Sequence, residues 1–230
     1  MTDLHTHILP GVDDGAQTVD EALALLQIQA QQGVDTVALT PHFYGRRESP
    51  ESFLARREAA WQQLLEATAG LQCPRLLLGA EVAWMPDMAQ WSELEALCYQ
   101  GTSVLLVELP MAPWTDSVFR ALNSLEGRRG VIPMIAHIDR YFYCQKKKDI
   151  DKLLEMGYPV QISAEALLQF YTRKRALDLL ENYDGLLISD CHNLSDRKPN
   201  IERAIRIAGK KLGNRVAEEI ATLSDEILVL

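Results

Sequence analysis

Five histidines and several carboxylates occur in short motifs spread along most of the chain. His5 and His7 are one residue apart, a spacing that places both side chains on the same face of a β-strand. Such imidazole pairs bind transition-metal ions, and carboxylates complete the ligand set. The pattern therefore predicts a metal site. Its expected ligands are His5, His7, His42, Glu81, Glu108, His137, Asp190 and His192, with Asp13 and Asp14 as further candidates.

Short β-rich runs alternate with amphipathic stretches over the whole chain. The predicted strands cover 2–5, 34–40, 75–81, 103–109, 131–136, 159–163 and 186–190. The predicted helices cover 18–32, 51–69, 115–127, 149–157, 169–182 and 200–213, with a weaker segment at 87–99. The first helix has the clearest signals, because Thr18 and Glu21 form a capping box and Gly33 follows its last turn.

The regular succession of strand and helix indicates parallel strands joined by right-handed crossovers. We predict an α/β fold in one domain, 1–230, with seven strands in a distorted barrel. An open doubly wound sheet is the alternative, and periodicity does not separate the two.

The predicted ligands fall at the carboxyl ends of the predicted strands. In a parallel barrel these ends open onto one face, where active sites are built. One histidine after an apolar strand is more often a hydrogen-bonded structural residue, but all five at one rim favour a metal site. Five imidazoles and at least three carboxylates exceed the needs of one zinc ion, so we expect two or three ions of manganese, iron or zinc.

Bulk composition excludes several other functions. The formal net charge of −9 disfavours a nucleic-acid partner. No apolar run approaches the roughly 20 residues of a membrane span, and the first residues lack a signal-peptide pattern, so a cytoplasmic location is expected. The four cysteines are scattered, which predicts reduced thiols. The oligomeric state stays open, and a homo-oligomer is compatible with the sequence.

The motifs resemble those of the PHP (polymerase and histidinol phosphatase) superfamily. Residues 3–15 read DLHTHILPGVDDG, which is similar to the start of the bacterial tyrosine phosphatases of capsule and exopolysaccharide loci. Further matches are TPH at 40–42, GAE at 79–81, AHIDRY at 136–141 and SDCHNL at 189–194. They follow the order and spacing of the family over residues 3 to 197.

This resemblance implies a distorted (β/α)7 barrel that holds three metal ions, often manganese. One ion would take His5, His7, Glu81 and Asp190. A second would share Glu81 and add Glu108 and His137, and the third would use Asp14, His42 and His192. Arg140 and Arg197 match the positions with which the family holds phosphate. The implied partner is a phosphotyrosine protein, namely a bacterial tyrosine autokinase that controls polysaccharide export.

The substrate contacts are less well defined by the sequence. Tyr44 and Tyr141, with their neighbours Phe43 and Phe142, flank predicted ligands or arginines and are candidates to stack on a phosphotyrosine ring. Ordinary packing of these aromatic residues is the alternative. Asp13 and Asp139 are the candidates for a general acid.

The sequence is also compatible with several competing functions. Cys191 and Arg197 have the C-x5-R spacing of cysteine-dependent phosphatases, but the segment between them lacks glycine and contains Asp196. A thiolate mechanism would also leave four of the five histidines unexplained. The same metal site could serve histidinol phosphate or another small phosphomonoester, whereas the acidic composition disfavours a nuclease. A non-catalytic metal module is disfavoured by the complete ligand set.

Overall fold

The computed structural model of the protein describes residues 1–183 and 185–229. In these residues, short parallel strands alternate with α-helices. The strands are β1 (Thr2–Thr6), β2 (Thr36–Leu39), β3 (His42–Phe43), β4 (Arg75–Leu78), β5 (Glu81–Ala83), β6 (Val104–Glu108), β7 (Ile132–Ile135), β8 (Gln161–Ser163) and β9 (Leu186–Ile188). The helices are α1 (Val19–Gln31), α2 (Pro50–Thr68), α3 (Leu94–Leu97), α4 (Asp116–Arg129), α5 (Lys147–Leu154), α6 (Ala164–Leu168), α7 (Phe170–Asn182), α8 (Ile201–Leu212) and α9 (Asn214–Glu226).

The strands form three parallel sheets with the orders β1-β2-β4, β3-β5-β6-β7 and β8-β9. Single bridges connect the sheets: Thr6 pairs with Cys191 beyond β9, and Ile135 of β7 pairs with Val160 before β8. The seven predicted strand regions therefore follow one another in parallel, as the α/β prediction required. Isolated bridges take the place of a continuous ladder between the sheets.

Two predicted strands are interrupted in the middle. The segment 75–81 divides into β4 and β5, and 34–40 is followed by the additional short strand β3. The same backbone path continues across each break, because Gly79 N donates to Leu39 O and Glu81 N donates to Pro41 O. His42 and Glu81 are therefore the first residues of β3 and β5. The sequence predicts them at the carboxyl ends of longer strands.

The first helix confirms Thr18 as the N-cap, whereas the Glu21 carboxylate of the predicted capping box accepts from Gln17 N at 2.7 Å, one residue before the cap. The Thr18 side chain accepts a hydrogen bond from Glu21 N at 3.2 Å, which satisfies one free amide of the first turn. On α1, Ala22, Leu25, Leu26 and Gln29 recur at helical spacing and are buried, the leucines in the same core cluster as Val37 and Leu39 of β2. Gln29 also donates to Asp3 of β1 at 2.6 Å, so this face of the helix is fixed to the strand that carries His5.

Helix α9 was absent from the sequence prediction. It packs against β1 and β9, and its Ala217 and Ile220 are buried. Its apolar positions follow a helical period, but the last predicted helix, 200–213, ended before it. Among the helices of residues 1–183 and 185–229, none has the length and apolar character needed to cross a bilayer.

Candidate metal centre

The two ends of the chain meet at the centre of the predicted site. His7 N donates to Cys191 O at 2.9 Å, and Asp190 N donates to His5 O at 3.0 Å. The β1–β2 register shifts between Asp3 and Thr6, which marks a bulge in β1. Bulges re-aim side chains next to active sites. Here the bulged strand directs both histidines into the space beneath Asp190.

The outer ring nitrogens of His5 and His7 are already engaged. His5 Nδ1 lies 2.7 Å from Gln161 Oε1, and His7 Nδ1 lies 2.6 Å from Asp13 Oδ2. Since both partners are oxygen acceptors, each Nδ1 carries the proton and each Nε2 presents a lone pair. The two Nε2 atoms are 3.1 Å apart. Two lone pairs at this separation repel each other unless a cation lies between them.

Glu81 is the carboxylate at the middle of the cluster and is fully buried. Its Oε2 lies 3.2 Å from His5 Nε2, 3.3 Å from His7 Nε2 and 2.9 Å from His42 Nδ1. Its Oε1 accepts from His137 Nε2 at 2.7 Å. One carboxylate therefore faces four imidazoles, the position expected of a ligand shared between ions.

The remaining predicted ligands extend this cluster on two sides. Asp14 Oδ1 lies 3.6 Å from Nε2 of both His42 and His192. The His192 ring stacks on His7 with a centroid separation of 3.7 Å. On the other side, Glu108 Oε1 is 3.9 Å from His137 Nε2.

Three groups of side chains have donor atoms close enough to share an ion. They are His7, Asp14, His42 and His192; His5, His7 and Glu81; and His42, Glu81 and Glu108. These groups differ in two ways from the ligand sets that the family resemblance implies. The group that contains Glu81 and Glu108 has His42 in place of His137, and the group that contains Asp14, His42 and His192 also includes His7.

Unpaired buried atoms show that this pocket suits metal ions. Buried side-chain atoms without a hydrogen-bond partner in the described chain include Asp190 Oδ1 and His192 Nε2, whereas His42 Nδ1 and Glu81 Oε2 form an ion-pair contact with each other but no well-directed hydrogen bond. Leaving such groups unpaired is costly, and a cation coordinated by them removes that cost. The donors are nitrogen and oxygen, which fits manganese, iron or zinc.

The pKa shifts in the cluster depend on which charges surround each group. Burial by itself lowers the pKa of His5, but Glu81 and Asp190 raise it overall. Burial would raise the pKa of Glu81, yet His5, His137 and His42 hold it well below its usual range. Burial lowers the pKa of His192 to about 3, helped by His7. Glu81 and Asp190, whose pKa values are both lowered, are thus held as anions, and a cation is favoured beside them.

Two predicted ligands have an unusual backbone. His137 has φ 27° and Asp190 has φ 52°, and they are the non-glycine residues with positive φ in the described chain. This left-handed region is costly for side chains with a Cβ and is often found at functional sites.

Both predicted phosphate-binding arginines lie at the rim of the cluster. The guanidinium groups of Arg140 and Arg197 donate to Asp190 Oδ2, the latter at 3.0 Å. Asp190 Oδ1 points the other way, 3.7 Å from His5 Nε2 and 3.5 Å from His7 Nε2. About a third of each arginine side chain is exposed, 36% and 33%. They line one side of a cavity of about 240 Å³ and can reach an anion placed there.

The two tyrosines predicted to contact substrate differ in accessibility. The Tyr44 ring is half-buried and stacks on His42 at 5.2 Å between centroids. Tyr141 is fully buried, and its hydroxyl accepts from Leu109 N at 2.7 Å. The prediction for Tyr141 is therefore wrong, because its ring is enclosed by the core. Phe43 is buried in the same way.

Cys191 has no access to substrate. The residue is fully buried, and its thiol lies near Gln29 behind the cluster. Burial raises the pKa of this thiol, so the neutral form is favoured. Both properties argue against the thiolate mechanism suggested by the C-x5-R spacing.

Comparison with known proteins agrees with this geometry. Residues 1–229 match the family described as "Capsular polysaccharide synthesis, CpsB/CapC". The chain belongs to the CpsB/CapC family.

Curated relatives of this CpsB/CapC chain include the tyrosine-protein phosphatase CpsB of Streptococcus agalactiae. It is 28% identical over 96% of this chain and 94% of its own length. The tyrosine-protein phosphatase YwqE of Bacillus subtilis is 27% identical over 94% of this chain and 87% of its own.

Solved structures show the same fold. A chain from the crystal structures of YwqE from Bacillus subtilis and CpsB from Streptococcus pneumoniae, described as metal-dependent tyrosine phosphatases, matches with a TM-score of 0.84. It is 24% identical, and the match covers 100% of this chain and 94% of that one. An organophosphorus hydrolase mutant matches at 0.53 with 16% identity over 96% of this chain and 92% of its own.

Sequence reasoning missed how the ligands of this CpsB/CapC chain are oriented. Gln161, a fully buried polar residue of β8, holds His5 and also donates to the Tyr99 hydroxyl at 3.2 Å. Asp13 accepts from His7 Nδ1 and from His42 N. Asp13 is therefore engaged in holding two predicted ligands, which argues against the general-acid role considered for it. A polar residue within an otherwise apolar strand was the available signal for Gln161.

Proposed function

We propose that this protein catalyses metal-dependent hydrolysis of phosphotyrosine in proteins. The observation that carries the proposal is the buried cluster of unpaired nitrogen and oxygen donors with two arginines at its rim. The names of its relatives support a phosphotyrosine substrate, since several are called tyrosine-protein phosphatases.

The cluster offers ligands for up to three ions, with manganese proposed and iron or zinc as alternatives. The residues that would hold them are His5, His7, Asp14, His42, Glu81, Glu108, His137, Asp190 and His192. When bound, such ions neutralise phosphoryl charge and activate water for attack at neutral pH.

The arginines bind the phosphoryl group in this proposal. A guanidinium offers parallel N–H donors that match two phosphoryl oxygens. Arg140 and Arg197 approach from the same side, since both reach Asp190 Oδ2. This carboxylate keeps the two cations close to each other before an anion arrives. The phosphoryl group would then lie between the arginines and the buried donors.

Tyr44 is placed to contact the phenol ring of the substrate. Its ring lies at the mouth of the cluster beside His42, on the side where Asp14 is largely exposed. Burial raises the pKa of Tyr44 to about 12, so the hydroxyl stays protonated and can donate a hydrogen bond. A flat ring at this point suits an aromatic leaving group.

We further propose that the substrate is a bacterial tyrosine autokinase that controls capsular or exopolysaccharide synthesis, and that the reaction occurs in the cytoplasm. The description of the family, capsular polysaccharide synthesis, supports the link to capsule production. Histidinol phosphate is the second candidate, because the same donors would hydrolyse another phosphomonoester.

A side-by-side assay tests the proposal. The protein, loaded with manganese, is given a phosphotyrosine peptide and histidinol phosphate, and kcat/KM is measured for each. We expect the peptide to be preferred, and loss of both activities on chelation. A higher kcat/KM for histidinol phosphate would replace the main proposal with the second candidate.

A further inference from the structure

A second cavity, of about 380 Å³, adjoins the metal-binding cluster. It shares two residues with the site, since Glu108 and Tyr44 form part of its wall. The rest of the wall is mainly apolar and includes Trp84, Met85 and Met111. Met111 is 52% exposed and offers a flexible apolar side chain at the edge of the cavity.

Two unpaired arginines lie at the edge of this cavity. Arg46 and Arg47 are exposed and line it, and neither forms an ion pair with any residue in 1–183 or 185–229. Arg128 is likewise exposed without an ion pair in the described chain, so it is their position at the cavity that distinguishes Arg46 and Arg47. In a protein of net charge −9, two guanidinium groups without acidic partners beside a site for an anionic substrate form a local positive patch.

The loop that carries these arginines is held in place. Arg47 N donates to Tyr44 O at 2.8 Å, and the Arg47 guanidinium lies 4.5 Å from the centroid of the Tyr44 ring. A Cβ at Gly45 would come within 2.9 Å of Trp91, so the loop packs closely on that ring. The cavity wall is therefore preorganised, which lowers the entropy cost of binding.

We propose that this cavity is a subsite for the residues next to phosphotyrosine in the substrate. It receives an apolar side chain, and Arg46 and Arg47 pair with an acidic residue beside it. The inference rests on the proposed function. A peptide spans at most about 3.3–3.6 Å per residue, so residues within a few positions of the phosphotyrosine reach a cavity that begins at Tyr44 and Glu108.

Matched peptides test the subsite. Each carries one phosphotyrosine flanked on both sides by leucine and either glutamate or glutamine. We measure kcat/KM for hydrolysis, and the Kd of fluorescent versions in which a phosphonate replaces the phosphate. We expect the wild type to prefer glutamate by about fivefold to tenfold, the scale of two exposed ion pairs. The variant Arg46→Ala/Arg47→Ala should lose this preference while hydrolysing p-nitrophenyl phosphate at the wild-type rate.

Arg128→Ala is the control. Arg128 is exposed, has no ion pair within the described chain and lies on α4 before β7, away from the carboxyl ends of the strands.

A glutamate preference that survives in the double variant, or its absence in the wild type, would overturn the proposed subsite without contradicting phosphotyrosine hydrolysis. If peptides with serine in place of leucine are hydrolysed with the same kcat/KM, the cavity does not bind an apolar side chain of the substrate. If the wild type cleaves p-nitrophenyl phosphate but neither peptide, the proposed function itself fails.

Discussion

The Nε2 atoms of His5 and His7 face each other because other residues hold the opposite side of each ring. Gln161 and Asp13 accept from the two Nδ1 atoms and so select the tautomer that leaves Nε2 free. Partners of this kind raise ligand basicity and fix ring orientation, and their loss typically costs about 10–100-fold in metal affinity.

We therefore expect Gln161→Leu to weaken manganese binding by about 10–100-fold, as measured by calorimetric titration of the metal-free protein. Gln161→Glu retains an acceptor for His5 Nδ1 and should restore much of the affinity. Asp20→Asn, on an exposed position of α1, is the control. Unchanged binding by the leucine variant would show that β1 alone orients His5.

Arg140→Ala and Arg197→Ala should each lower kcat/KM by about a hundredfold or more, the effect of losing one preorganised oxyanion donor. Metal content and folding should not change, because guanidinium has no lone pair for a metal ion. Lysine should restore only part of the activity, since it lacks the bidentate fork. A simple surface ion pair would contribute about 0–1 kcal/mol, so wild-type kinetics in both variants would remove the arginines from the site.

Cys191→Ser should retain most of the activity, because the thiol is buried and neutral. His5→Ala and Glu81→Ala should abolish it, since they remove central donors of the cluster. Phosphotyrosine hydrolysis and metal content are measured for all three. An inactive serine variant with normal metal content would restore the thiolate mechanism.

At the scale of elements, the alternation of strand and helix and the gathering of the histidines were predictable from the sequence. Apolar runs and turn residues are local signals, and the carboxyl ends of parallel strands share one edge. The breaks after Leu39 and Leu78 fall at Thr40-Pro41 and Gly79-Ala80. Proline and glycine were local signals for an interruption, but they do not show that a second short strand follows on the same path. Tyr141 was misplaced for a similar reason: its burial depends on packing against Trp114, which is distant in sequence.

Helix α9 supports the strands that carry the predicted ligands from outside. Ile220 is 5% exposed, so Ile220→Ala should lower the free energy of unfolding by about 2–4 kcal/mol. Activity per folded, metal-loaded molecule should be unchanged, because the helix lies outside the cluster. Denaturant titration measures the free energy of unfolding. Val229→Ala, at an 85% exposed position, is the control. A loss below about 0.5 kcal/mol would mean that α9 is not part of the stable core.

For the whole molecule, metal binding and stability should be coupled. The unpaired buried donors belong to the folded state, so ions that bind there stabilise that state by mass action. At a free manganese concentration about 100 times Kd, the stabilisation is about 2.7 kcal/mol per ion. In a chain of 230 residues this corresponds to a rise in Tm of about 5–10 °C.

Differential scanning calorimetry with and without chelator measures this rise. A double variant, His5→Ala with Glu81→Ala, should show a much smaller response to manganese, which separates binding at the cluster from weak binding elsewhere. An identical Tm for the metal-free and manganese-loaded wild type would contradict the coupling.

The hydrogen bonds between β1 and the segment after β9 have a consequence for biosynthesis. His5 and His7 leave the ribosome among the first residues, whereas Asp190 and His192 follow more than 180 residues later. A contact of such large sequence separation is slow to form. The nascent chain therefore carries exposed imidazoles that can bind metal only weakly until its last strand arrives. If the proposed ligands hold the ions, full metal loading would mark a chain whose synthesis has passed β9, and prematurely terminated products would remain without it.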